Sequence, residues 1–460
     1  MSEPGPARAV DRSAEDQDAG HREAGGRGAE RYDAVVVGAS LAGSATAIML
    51  GRAGRRVALV EQRPDPDAYK RVCSHFIQSS AVATLDRLEL LEPMMRAGAV
   101  RSRARLWTRW GWIEPARHGR VPSSVNLRRS RLDPLIRETA AAVPGVELML
   151  GHTATAVTRE ADGRGRRAVT GVELRNRAGE TVRLRAPLVV GADGRGSRVA
   201  KLAEVPRKTV RHGRFAYGGY FEGPGPAGAP DASLWFLDPQ IAAAFPTDSD
   251  LTFYAVMPTS DRLPQFRSDP GSALVEFVAA LPEAPPITES RPLEAVQGKI
   301  DMTNVWHAPA TPGLALVGDA ALAIDPLWGV GCGWALQSAE WLADSVAPAL
   351  GGAEPLADGL RRYGRRHARA LRGHAAMIYD YAGGRRMNLP ERALFSAAAR
   401  DERVAAIFEA FGTRNVGPAR TLGRGMPLAA LVHARVALRR RGAGRSRTAS
   451  GTPAESAVLR

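Results

Sequence analysis

Three glycine-rich turns that each carry an acid, and a histidine two residues behind a cysteine, are the features of this 460-residue chain whose types and spacing could do chemistry. The first turn lies in Asp33-Ala-Val-Val-Val-Gly38-Ala-Ser40-Leu-Ala-Gly43. A buried strand ending in glycine can turn tightly and aim a helix N-terminus at a pyrophosphate. Glu61 follows Gly38 by 23 residues, at the end of Arg56-Val-Ala-Leu-Val-Glu61, where a carboxylate can hold a ribose hydroxyl pair. Ser40 stands where such a pattern has its middle glycine, which crowds the backbone slightly. The second turn is Leu188-Val-Val-Gly191-Ala-Asp193-Gly194-Arg195-Gly196-Ser197. The third is Leu314-Ala-Leu-Val-Gly318-Asp319-Ala320-Ala321, followed by Asp325-Pro326-Leu-Trp328-Gly329-Val-Gly331-Cys332-Gly333. Glycines after Pro326 would let a helix N-terminus approach an anionic ring system closely.

His75 closes the segment Tyr69-Lys-Arg-Val-Cys73-Ser-His75. It is the candidate general base, or the donor to a developing oxyanion, and a hydrogen-bonded structural histidine is its plainer role. His212 and His307 are lesser candidates for the same task. Cys332 reads as a small buried filler rather than a redox cysteine. No His/Glu cluster has metal-ligand spacing and no serine sits in a nucleophile elbow, so no metal is expected.

The elements that must position these groups follow from the apolar pattern. Tyr32 to Val60 reads strand, turn, helix, strand, and Leu188–Val190 and Leu314–Val317 read as further buried strands. A helix is expected at Leu132–Ala142 inside a β-rich stretch from 100 to 185. Aromatic strands run from Phe215 to Val256, broken by the loop Gly223–Pro230, and most of the chain after Gly333 is helical. Trp107, Trp110 and Trp112 are expected on one face of a single strand, packing a core or walling an aromatic pocket. The nucleotide-binding features return three times, interrupted by β-rich segments, which predicts two interwoven domains. The fold class is therefore α/β, a Rossmann-like dinucleotide-binding domain interwoven with a β-sheet substrate domain and ending in helices. The chain divides into an unstructured leader (1–30), dinucleotide-binding segments (31–100, 128–200 and 306–350), substrate-sheet segments (101–127 and 201–305), a helical region (351–433) and a basic unstructured tail (434–460).

Composition bounds the rest. Hydrophobic residues at 44% and charged residues at 24% exclude a disordered, fibrous or polytopic membrane chain. Two cysteines exclude a disulfide framework and suit a reducing, cytoplasmic setting. The net charge of +15 is almost all arginine, the mark of a high-GC bacterial gene, and six of those charges fall in Arg435–Arg460. Nucleic acid is not an expected partner. Pro427–Leu438 forms an amphipathic helix running into Arg439, Arg440 and Arg441, either a surface helix or a membrane-surface contact. The start lacks the apolar run of a signal peptide.

In this order and spacing, the three motifs resemble the FAD-dependent superfamily of p-hydroxybenzoate hydroxylase-like monooxygenases, geranylgeranyl reductases and flavin-dependent halogenases, over roughly residues 32–350. The resemblance implies that Gly38, Ser40, Gly43 and Glu61 bind the ADP half of FAD and that Arg129, in Arg129-Ser-Arg-Leu132-Asp133, lies along the cofactor. It implies that Asp193 serves both FAD and a nicotinamide donor, and that Asp319 holds the ribityl or pyrophosphate region. Pro326, Gly329 and Gly331 would face the flavin ring. The hydroxylases often carry His where this chain has Leu322, which leans towards the other two branches. The halogenase branch is disfavoured: Trp110-Gly-Trp112-Ile113-Glu-Pro115 misplaces the proline and precedes the Asp193 motif, and Lys70 is the only lysine in the region of the expected active-site lysine. The Cys73 segment stands where the reductases carry a short cysteine-containing segment near the flavin. The expected function is FAD-dependent monooxygenation, with NAD(P)H and O2, of an aromatic or polyene small molecule in bacterial secondary metabolism. Reduction of a prenyl or alkene substrate is the alternative, and the need for a partner reductase is undecided.

Overall fold

A computed structural model describes residues 30–115, 121–161 and 167–449, with side chains as far as Arg439. The expected leader (apart from residue 30) and the last residues of the expected tail lie outside this description. Strand β1 (Ala34–Val37) turns at Gly38 into helix α1 (Leu41–Arg52), and β2 (Val57–Glu61) returns beside β1. A short β3 (Phe76–Ile77) precedes the hairpin β4 (Ala104–Thr108) and β5 (Gly111–Ile113). Then come β6 (Ser124–Asn126), helix α2 (Arg129–Ala141), three residues ahead of the expected start, and β7 (Val146–Leu150). After an antiparallel excursion, β8 (Leu188–Gly191) leads into the short helix α3 (Arg198–Leu202).

The substrate sheet is built from β9 (Ala216–Glu222), β10 (Ala232–Phe236), β11 (Ile241–Pro246) and β12 (Leu251–Met257), before β13 (Leu314–Leu316) re-enters the first sheet. Helices α4 (Gly331–Leu350), α5 (Leu356–Ala382), α6 (Leu389–Ala398), α7 (Glu402–Gly412) and α8 (Pro418–Ala449) complete the chain. Helix α8 continues past residue 433, so residues 434–449, expected as unstructured tail, are helical. It buries Ala429 and Val432 and leaves Leu431 and Leu438 exposed. No helix among the described residues is long and apolar enough to cross a membrane.

The nucleotide-binding sheet runs β13-β8-β1-β2-β7 with all neighbours parallel, and residues 310–311 add an antiparallel edge. Such strands read as continuous apolar runs because both faces are covered. Val36 and Leu59 point into one core, Val35 and Val60 into another. The sheet order makes β13, β8 and β1 adjacent. Their carboxyl ends carry Gly318, Gly191 and Gly38, so turns distant in sequence meet at one edge of the sheet, where doubly wound folds take ligands.

The second sheet orders β9-β12-β11-β10-β4-β5, with short strands beyond β9. The hairpin β4–β5 corrects the expectation for the tryptophans. Gly111, at φ 110°, lets the chain reverse after Thr108, whose hydroxyl donates to Gly111 O. Trp107 and Trp112 face each other across two strands, and Trp110 sits in the turn. A period-two pattern cannot register a reversal inside itself.

Candidate functional site

A cavity of about 820 Å³ runs from the first glycine turn, between the two sheets, to the inner face of the substrate sheet. Gly38 lines its start at φ 108°, a left-handed backbone that favours glycine, and a Cβ there would lie 2.6 Å from Ala192 O. Gly43 is one turn further on and does not line the cavity. A Cβ on it would lie 1.7 Å from Gly38 O, so its part is to let α1 pack against the turn. Glu61 Oε2 accepts the Ala39 N–H at 3.0 Å and Oε1 accepts the Arg63 N–H at 3.0 Å, which seats the carboxylate at the mouth of the first turn.

Helix α2 contributes a buried row of charge at four-residue spacing. Arg129 donates to Asp133 Oδ1 at 2.8 Å and to Ser40 Oγ at 2.7 Å. Arg137 donates to Ala39 O at 3.1 Å and to Ala68 O at 2.7 Å, and Asp133 Oδ2 accepts the Lys70 N–H at 2.9 Å. This helix thus ties the first turn to the loop 66–73. Only Arg129 was anticipated. The spacing Arg129, Asp133, Arg137 among Leu132, Ile136 and Ala140 is the signal that would have found the row, since buried charges persist only when paired.

Asp193 lines the cavity, but both of its oxygens are occupied. Ser197 Oγ donates to Oδ1 at 2.5 Å and the Val199 N–H to Oδ2 at 3.0 Å, so the carboxylate stabilises the start of α3. Asp319 is paired with Lys70 Nζ at 3.0 Å, a partner 249 residues away. Burial pushes its carboxyl up, but Lys70 and Arg195 outweigh it and hold the group below its usual range. The same contact raises the Lys70 ammonium. Pro326, Gly329 and Gly331 line the cavity too. They are held by a buried network: Asp325 accepts from Arg214 Nη2 at 2.7 Å, from His212 Nε2 and from the Leu327 N–H at 2.7 Å. His212 therefore braces this loop, and His307 is engaged with Ala320 O at 2.9 Å.

His75 does not face the cavity. It is fully buried, at φ 46°, stacked behind Tyr220 and edge-on to Phe253 with ring centroids 5.6 Å away in each case. Burial lowers its pKa to about 4, so it is neutral near pH 7, and its Nδ1 lies 3.3 Å from the Tyr220 hydroxyl. Tyr220, not His75, lines the cavity. Of the roles expected for His75, general base, oxyanion donor or hydrogen-bonded structural histidine, this seat suits the last: β3 turns the ring towards the sheet's aromatic residues.

Around the far end of the cavity the register of the substrate sheet sets three rows. Gly218, Ala255 and Ala243 are directly opposed across β9, β12 and β11. Tyr220, Phe253 and Phe245 form the row on one side, and Met257 and Ile241 lie on the other. The middle row leaves a trough between larger apolar side chains.

Two helices begin at the cavity, α1 and α4, and neither has a side-chain cap or an acid in its first turn. Their leading N–H groups are thus left for an anionic ligand. The cradle at Gly38, the carboxylate at Glu61 and a cavity long enough to reach a second sheet fit an extended dinucleotide. A family model described as FAD binding domain matches residues 31–375. The chain belongs to this family. It is an FAD-dependent oxidoreductase of the flavin monooxygenase superfamily, and FAD is its cofactor. Kynurenine 3-monooxygenase of Salinispora arenicola is 27% identical over 334 residues, spanning 67% of this chain and 70% of that protein. Menaquinone reductase of Mycolicibacterium smegmatis is 29% identical over 337 residues, spanning 68% of this chain and 76% of that protein. PqsL from Pseudomonas aeruginosa, described as a probable FAD-dependent monooxygenase, shares the fold with a TM-score of 0.65 at 22% identity, over 84% of this chain and 100% of that one.

Proposed function

We propose that this FAD-dependent enzyme uses NAD(P)H and O2 to hydroxylate or epoxidise an apolar aromatic or polyene small molecule, in the cytoplasm and in the service of bacterial secondary metabolism. The observation that carries the reading is the trough: a flavin family cavity opens onto a sheet face of aromatic and small apolar side chains, with Tyr220 its phenolic group. Gly38, Ser40 and Glu61 would hold the ADP half, and Gly43 would shape the turn that does so. Arg129 and Lys70 would sit along the cofactor's middle with Asp319, and Pro326, Gly329 and Gly331 would meet its ring. Asp193 would support the second turn through α3 rather than by direct contact.

When bound, FAD supplies the redox chemistry, accepting hydride from NAD(P)H and activating O2. The chain's own contribution is orientation and exclusion of water. The sheet face removes a flat substrate from solvent, and the Tyr220 hydroxyl, backed by neutral His75, orients a polar substituent. Burial keeps Tyr220 protonated, raising its pKa well above its usual value, so it acts as a donor or acceptor rather than as a phenolate. The test is turnover of a panel of aromatics and polyenes with NADPH under ¹⁸O2. One labelled oxygen in the product supports the reading. A product gaining two hydrogens without oxygen, formed anaerobically, would establish the reductase chemistry instead, the activity that the name of the menaquinone reductase relative brings forward.

A further inference from the structure

The chain's two cysteines are 259 residues apart in sequence, and both line the cavity. Cys73 lies in the loop between β2 and β3, and Cys332 is the second residue of α4. Their sulfur atoms are 3.6 Å apart, and both thiols are free. The surroundings of the two are unlike. Cys73 Sγ accepts the His75 N–H at 3.2 Å and faces Arg129 Nη1 at 3.4 Å. Cys332 lies deeper, in the apolar core, between Gly331 and Gly333.

We propose that Cys73 and Cys332 are a dithiol pair that peroxide converts to an intramolecular disulfide across the flavin cavity. Three features of the site bear on the chemistry. A disulfide holds its sulfurs about 2.05 Å apart, so closure from 3.6 Å needs an approach of about 1.5 Å. Cys332 is flanked by glycines; a Cβ on Gly331 would meet nothing within 4 Å, whereas one on Gly333 would lie 3.5 Å from the Ala81 Cβ, so the open space beside Cys332 is on the Gly331 side. The two sulfurs also differ in reactivity. The hydrogen bond from Cys332 pulls the Cys73 thiol down, with the Arg129 and Lys70 charges adding to it, whereas that bond and burial push Cys332 up. Cys73 is therefore the attacking thiolate and Cys332 the resolving thiol, the division of labour a dithiol switch requires.

The steps balance. The Cys73 thiolate attacks one oxygen of hydrogen peroxide, the O–O bond breaks, and hydroxide leaves and is protonated to water, giving a sulfenic acid on Cys73. Cys332 loses its proton and attacks that sulfur, displacing the hydroxyl as a second water. Two thiols are oxidised by two electrons to one disulfide, and one peroxide is reduced to two waters. The bridge joins the loop before β3, which faces Arg129 of α2, to the start of α4, where Gly331 sits. A thiol reductant reverses it.

The test uses the full-length, flavin-bearing protein and counts thiols in denaturant before and after a brief exposure to stoichiometric hydrogen peroxide, followed by non-reducing peptide mapping. The expected result is two thiols falling to none, a single Cys73–Cys332 cross-linked peptide within a monomeric chain, and both thiols recovered with dithiothreitol. In Cys332→Ser, oxidation should stop at a sulfenic acid on Cys73 that dimedone captures once per chain. In Cys73→Ser, the remaining thiol should react at least ~10-fold more slowly at neutral pH, as burial alone still holds its pKa up and leaves little thiolate. Two thiols surviving the peroxide, over-oxidised cysteines without a bridge, or disulfides formed only between chains would each overturn the proposal. These readouts need no substrate turnover, so failure here leaves the monooxygenase reading standing, and failure of that reading leaves this one standing.

Discussion

The two halves of the cavity are built on opposite principles. At the nucleotide end, backbone does the shaping: positive φ at Gly38, close approach at Gly43, and helices α1 and α4 left uncapped, with side-chain charges paired to hold the turns in place. At the sheet end, backbone is regular and side-chain volume does the shaping, through a row of small residues placed by strand register. Tolerance should differ in kind between them. A single added carbon at Gly38 or Gly43 should disrupt cofactor binding whatever its chemistry, while the second end should tolerate change that keeps volume and polarity.

The sharpest way to break that contrast is Gly38→Val. With a Cβ 2.6 Å from Ala192 O and a backbone unsuited to a β-branched residue, the flavin-to-protein ratio after purification should fall at least ~10-fold, read from visible absorbance. Full flavin content in this variant would contradict the placement of the cofactor. At the other end, Ala255→Phe should fill the trough. Flavin content should hold within about twofold while kcat/KM for any substrate found falls by at least ~10-fold, the reverse of the Gly38 pattern, because an overpacked core costs about 1–3 kcal/mol locally.

The loop that joins the halves gives a third, smaller effect. Asp325→Ala strands Arg214, which is fully buried, without its carboxylate, and removing one partner of a buried pair costs about 3–5 kcal/mol. The melting temperature should drop by several degrees and flavin content should fall with it, whereas Asp325→Glu should restore part of both.

The last effect is a pH dependence. His75, His367 and His374 each have their pKa lowered by burial to about 4. Because the folded values lie below the unfolded one of about 6.5, the unfolded chain binds protons first as pH falls. The stability these residues allow is therefore complete above about pH 6.5 and is lost towards pH 4, at up to roughly 1.4 kcal/mol per pH unit per histidine. Thermal unfolding followed from pH 7 to 4.5 should show a steep decline, and His367→Gln should flatten it. An unchanged slope would mean His367 takes up its proton in the fold as readily as in the unfolded chain.

The same contrast explains what could be read from the chain. The three glycine turns were legible because tight turns and close approaches demand glycine at fixed places in one short segment. Their convergence was also implied, since each closes a buried apolar strand. The trough was not legible, because Gly218, Ala243 and Ala255 become neighbours only through the pairing of β9, β11 and β12. The Lys70–Asp319 pair and the Cys73–Cys332 contact join the loop 66–75 to the third motif, and no local pattern announces a contact across 249 or 259 residues. The sequence leaves His75 between a catalytic and a structural role, and its left-handed backbone at φ 46° with the turn into β3 sends the ring behind Tyr220. The tryptophans failed for a related reason, a reversal at Gly111 inside what reads as one strand.

The most direct test of the central claim, a single cavity that holds FAD at one end and presents it to an apolar substrate at the other, is an anaerobic NADPH titration of the purified protein with the visible flavin absorbance followed throughout, then admission of air. A yellow protein that bleaches and regains its colour as oxygen is consumed is the predicted result, with apolar aromatics or polyenes accelerating the bleaching. A colourless protein that takes up no added FAD would contradict it.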